Sequence, residues 1–167
     1  MWGLLLLAVG AQLTSSPESM DRPLRRLRTT DPVVSTAIRQ GQRRSSTFAM
    51  LVDAVERSDM IVYVERVRMR PHHMEGYLAP SGAQSRYLRV RIAMGMGPDR
   101  TIVVLAHELQ HVREVLDAGG GTDQAAFDSL YMRIGERRLT TPTHRYETAA
   151  AHDVMEIVGR EIRASAK

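Results

Sequence analysis

Residues 102–112 read Ile102-Val103-Val104-Leu105-Ala106-His107-Glu108-Leu109-Gln110-His111-Val112. Ile102, Leu105, Leu109 and Val112 recur at helical spacing and, with Leu116, form one apolar stripe. Val104 and Val115 add apolar surface on the opposite side. A helix that is apolar on both sides is a buried one. His107 and His111 are four residues apart, so their imidazoles project side by side, one turn apart. One metal ion can therefore take a nitrogen from each. Glu108 is rotated about 80° from the mean direction of the pair, at about 100° per residue. There it can touch a water on the metal without filling a coordination position. Two inward histidines need partners for their ring nitrogens. Backbone or carboxylate partners in an ordinary core are the plainer reading, and a shared metal is the sharper one.

A catalytic zinc site uses three protein ligands and keeps a fourth position open for water. The best third ligand lies in His144-Arg145-Tyr146-Glu147-Thr148-Ala149-Ala150-Ala151. Thr141-Pro142 is expected to open the last helix, which runs to about Ala164. On that helix Glu147 shares a face with Ala150, Ala151, Val154, Val158 and Ile162. A carboxylate on an apolar face needs a strong partner, and a metal is one. Helix-start electrostatics is the alternative for Glu147. His144 shares the face and competes for the ligand role, whereas His152 points the other way and reads as a surface residue. The small Ala149, Ala150 and Ala151 would let this helix approach the histidine helix closely. His72-His73 reads as part of a polar Pro/Gly-flanked loop, with a second metal site as its alternative. Met69, Met74, Met94 and Met96 read as packing filler.

His-Glu-x-x-His on a helix is the pattern of zinc metalloproteases. With the later Tyr146-Glu147-Thr148-Ala149-Ala150, the chain resembles the zincin metallopeptidases whose third ligand is Glu, the gluzincins. More narrowly, it resembles small exported bacterial zincin-like proteins. The resemblance covers about residues 45–164 and rests on these two motifs. It implies His107, His111 and Glu147 as ligands of Zn²⁺, Glu108 as general base, and a small sheet whose edge binds an extended peptide or protein substrate. Many gluzincins carry an acidic residue four positions after the ligand Glu, where it orients a zinc-bound histidine. Here that position is Ala151, and Asp153 or Asp128 would have to substitute.

Working outward, Ser45-Ser46 marks a helix start, and Phe48, Leu51, Val52 and Val55 follow at helical spacing. Met60 to Val64 is a β-branched run of strand length. The stretch from Arg66 to Gly82 carries loop signals. Tyr87 to Ala93 alternates, with Leu88, Val90 and Ile92 on one face, and Gly95 to Pro98 is its turn. The histidine helix opens at Pro98 or Asp99 and ends at Gly119-Gly120-Gly121. A further helix, capped by Thr122 and stopped by Gly135, turns Ala126, Phe127, Leu130, Tyr131 and Ile134 inward. Helix, two strands, then three helices is an α+β order, here a minimal zincin-like domain over residues 45–167. Residues 12–44 read as a flexible Arg- and Pro-rich lead-in. Gly3 to Ala11 is apolar, too short to span a bilayer and followed by polar residues, so residues 1–11 read as a signal peptide cut near Ala11-Gln12. No basic residue precedes that run. The expectation is an exported protein, periplasmic or extracellular, with no membrane span after cleavage.

The 167 residues, 43% of them apolar, suffice for one core and not for two full-sized domains. There is no cysteine, which excludes disulfides, thiolate metal sites and a Cys nucleophile. The net charge is +4, and all basic residues but Lys167 are Arg. The local excess at Arg22–Arg44 lacks the aromatics that would stack on bases, so no nucleic-acid partner is expected.

These features predict peptide-bond hydrolysis by a metal-activated water with Glu108 as base. The developing oxyanion needs a further donor, for which His144 is preferred to Tyr146 because it shares the face of Glu147. A zinc-binding module without catalysis and an intracellular regulatory peptidase are the alternatives. Glu108 argues against the first, since a structural zinc site has no use for a base. The apolar N-terminus argues against the second.

Overall fold

The computed structural model describes residues 23–69, 75–82, 85–135 and 147–166. Its elements are β1 (Leu27–Arg28), α1 (Pro32–Arg44), α2 (Ser46–Arg57), β2 (Ile61–Val67), β3 (Gly76–Ala79), β4 (Tyr87–Ala93), α3 (Pro98–Asp117), α4 (Gln124–Ile134) and α5 (Ala149–Ala164). The class is α+β, as expected. The sheet order is β1-β2-β4-β3, with β1 parallel to β2, β2 parallel to β4, and β3 antiparallel to β4 at the edge.

Alternation fixes which side of the sheet is covered. Val62 and Val64 of β2 stand opposite Leu88 and Val90 of β4, and all four are buried with Ile92. The other face carries Tyr63, Glu65, Arg89 and Arg91, and Arg91 reaches Glu65 at 3.6 Å. Helix α3 packs against α1, α2, α5, β3 and β4, which places it at the centre of the core. From Thr101 to Val115 only Val103 and Arg113 escape full burial. Gly119, in the left-handed region at φ +95°, ends α3 at no steric cost.

Several expectations change. Of the segment read as a lead-in, residues 27–44 are built into the fold: α1 buries Val34, Ala37 and Ile38, and Asp31 caps it by accepting from Val33 N and Val34 N. Pairing with β2 and the core contacts of α1 outweigh the Arg-rich composition there. Residues 1–11, the expected signal peptide, lie outside the described residues, as do His72, His73 and Met74. The loop expected from Arg66 to Gly82 contains the end of β2 and all of β3. At four half-buried residues, β3 is too short to show periodicity. Asp123, not Thr122, caps α4, through Ala126 N, while Thr122 is buried and donates to the carbonyls of Gly82 and Ser85. Ile134 is exposed because it sits at the last turn, beyond the core contact made by Phe127, Leu130 and Tyr131. Met69 is buried and Met94 is exposed, so the methionines do not act as one set.

Candidate metal centre

Burial of α3 takes six polar side chains into the interior: Thr101, His107, Glu108, Gln110, His111 and Glu114. Each needs a partner from another element or another turn. For His107 it is the Ala151 carbonyl on α5, 3.2 Å from Nδ1. For His111 it is the Glu114 carboxylate, 2.9 Å from Nδ1. A carbonyl and an ionised carboxylate only accept, so both Nδ1 atoms carry the hydrogen and both Nε2 atoms present a lone pair. Those two Nε2 atoms are 3.2 Å apart. Glu147 Oε2 lies 3.2 Å from His107 Nε2 and has no hydrogen bond. His107, His111 and Glu147 each offer one ligand atom, and all of these lie within 4.8 Å of one another.

Three electron-rich atoms converging without a hydrogen between them is an arrangement that a cation satisfies. The donor set, two imidazole nitrogens and a carboxylate oxygen, suits zinc. The same electrostatics draws a proton when no metal is present. Burial disfavours the charged imidazole of His107, but the carboxylates of Glu147 and Glu108 outweigh it and raise its pKa above the ordinary histidine value. The His107 contact chiefly holds Glu147 below the usual carboxylate range, against burial.

The structure brings together the three residues expected as ligands, but by a partly different route from the one expected. Glu147 is not on the last helix. It is the extended residue before Thr148, whose side chain caps α5 by accepting from Ala151 N, and α5 begins only at Ala149. Ala150, expected on the inward face, is exposed, while Ala151 and Val158 are fully buried. Capping by the Thr148 hydroxyl starts α5 about two turns later than Thr141-Pro142 suggested. His144, proposed as donor and as competing ligand, and Tyr146 lie outside the described residues.

The groups that orient the two imidazoles through Nδ1 are not the aspartates. Asp153 is exposed, and Glu114 and the backbone of Ala151 do this work. Thr148 donates to the other oxygen of Glu114 at 2.7 Å, so the cap of α5 and the partner of His111 form one chain. Burial raises the pKa of Glu114, but the bonds from His111 and Thr148 win and it falls below the ordinary value. Glu114 did leave a sequence signal, since it stands three residues after His111 and seven after His107, on the same side of the helix. Tyr131 stands edge-on to His111, with centroids 5.6 Å apart. Burial and then the charges of Glu114 and Glu108 push its pKa far up, so it stays a phenol.

His152, expected at the surface, keeps a side chain that is 38% exposed but turns one ring nitrogen into the site. Its ring lies 5.6 Å from that of His107, and its Nε2 is 3.6 Å from Glu147 Oε2, enclosed and without a hydrogen-bond partner.

No helix among the described residues is long and apolar enough to cross a membrane. No family model, curated protein or solved structure matches the chain.

Proposed function

We propose that this protein is a zincin-type metallopeptidase of the Glu-third-ligand kind, exported from the cell, that hydrolyses peptide bonds with Zn²⁺ held by His107, His111 and Glu147. One arrangement carries the reading: two buried imidazoles with both Nε2 atoms turned on a carboxylate, and Glu108 buried beside them on the same helix. Zinc supplies a lowered pKa for water and a polarised carbonyl. The chain's own residues supply the rest. Glu108, adjacent to the triad but not part of it, takes the proton of the attacking water and passes it to the leaving amine. Ala151 and Glu114 hold the two imidazoles in the tautomer that keeps Nε2 free. The oxyanion needs a hydrogen-bond donor, and His152 Nε2 stands next to the ligand carboxylate, in position to serve, with His144 as the other contender.

Elemental analysis and peptide cleavage on the purified full chain test this. The wild type should hold about one zinc per chain, as three ligands and one open position imply. Glu108→Gln should keep zinc and fold while losing about 10²-fold or more in turnover. His107→Ala should lose zinc. His152→Ala should keep zinc and lose about 10²-fold, as for one lost oxyanion donor; if His144→Ala does so instead, the donor is reassigned. A zinc-loaded wild type that cuts nothing in a broad peptide pool leaves the non-catalytic zinc module as the answer.

A further inference from the structure

The edge strand meets the base at Gly76. A Cβ placed on Gly76 would lie 2.5 Å from Glu108 Oε1 and 3.0 Å from its Cδ and Cγ, closer than such atoms pack. The backbone of Gly76 is not in the left-handed region, so it does not need glycine for its conformation. What it needs is the space. The strand cannot easily back away to make room. Gly76 is paired opposite Ile92, and Ala93 N donates to the Glu75 carbonyl at 2.7 Å. On the α3 side, Arg100 binds the Glu75 carboxylate, with Nε 2.8 Å from Oε1. Nor can Glu108 swing into solvent, since it is 3% exposed.

We propose that Gly76 is a positioning residue for the reaction. Its bare Cα lets the Glu108 carboxylate stand against the edge strand, so that strand and base form one wall of the site. This rests on the peptidase reading and deepens it. Any side chain at 76 displaces the carboxylate from the water it must deprotonate, while the three metal ligands, on α3 and before α5, stay where they are.

The test is a double-mutant cycle on the zinc-loaded full chain, read by thermal melting and by turnover of a quenched fluorescent peptide pool. Gly76→Ala should lower the melting temperature in the wild-type background, and lower it less or not at all beside Glu108→Ala, where the clashing carboxylate is gone. It should keep its zinc and lose at least about tenfold in kcat, with KM changed by no more than about twofold. Glu108→Asp, one methylene shorter, should restore part of the rate when combined with Gly76→Ala. A melting cost equal in both backgrounds overturns the inference, because the two residues then do not act on each other. So does wild-type kcat in Gly76→Ala when Glu108→Gln is inactive. Failure of the peptidase reading looks different: the wild type itself leaves the peptide pool uncut.

Discussion

His111 is held through Glu114, and Glu114 is held from both sides. One carboxylate oxygen takes the imidazole hydrogen and the other takes the Thr148 hydroxyl. With both oxygens bonded, the carboxylate cannot rotate away, and the imidazole keeps its Nε2 turned on that of His107. Partners of this kind, one bond removed from a metal, are worth about 10–100-fold in affinity. Glu114→Ala should therefore weaken zinc binding by about that factor in competition with a chromophoric chelator. Glu114→Gln can still accept through its carbonyl oxygen and should fall between the two. Equal affinity in all three proteins would mean that His111 is oriented by packing against Tyr131 alone.

Helix α5 is tied to the rest of the molecule at both ends. Near its C-terminal end Glu161 accepts from Ser45 Oγ, from Thr47 N at 3.2 Å and from Thr47 Oγ1 at 2.9 Å, which fastens it to the start of α2. At its N-terminal end Thr148 both caps the helix and bonds Glu114. Loss of an N-cap costs about 1 kcal/mol, and loss of a hydrogen bond to a buried charged group about 1–2 more. Thr148→Val, which keeps the shape and removes the hydroxyl, should lower the melting temperature by roughly 5–10 °C for a chain of this length. It should also weaken zinc binding, because Ala151 and Glu147 both sit within three residues of that cap. A stability loss with unchanged zinc affinity would separate the cap from the site.

Across the whole molecule, a metal bound as proposed would compete with protons for the same three atoms, with effects of opposite sign. In the metal-free protein His107 has a raised pKa. The stability this brings is complete below about pH 6.5, the ordinary histidine value, and is lost as pH rises through the raised value. Zinc needs the imidazole without its proton, so its affinity grows over that same rise. Both trends enlarge the stabilisation that zinc gives as pH increases. The gain in melting temperature on adding zinc should thus be small near pH 5.5 and large near pH 8, and chelator should reverse it. With zinc at about 1,000 times Kd the gain corresponds to about 4 kcal/mol. A gain independent of pH would place the metal away from the histidines.

The sequence alone determined the parts of this protein that depend on local periodicity. The buried nature of α3, the side-by-side His107 and His111, the placing of Glu108, the start of α2 at Ser45 and the inward set of β4 all follow from spacing. An apolar repeat reports which face of its own element is covered. It does not report what covers it, and there the tertiary structure decided. The partner of His107 is a backbone carbonyl 44 residues away, and the Thr148 that braces Glu114 is 34 residues away. No pattern in α3 names them. Glu147 reaches its place as an extended residue held before a cap. His152 keeps a half-exposed side chain, yet its Nε2 meets Glu147 Oε2 at 3.6 Å, a contact with a residue that stands before the helix rather than on it. The strand β3 and the segment 27–44 are too short or too basic to declare themselves. They fold because β4, β2 and α3 offer them paired backbone and apolar surface, and those neighbours exist only once the chain has closed around α3.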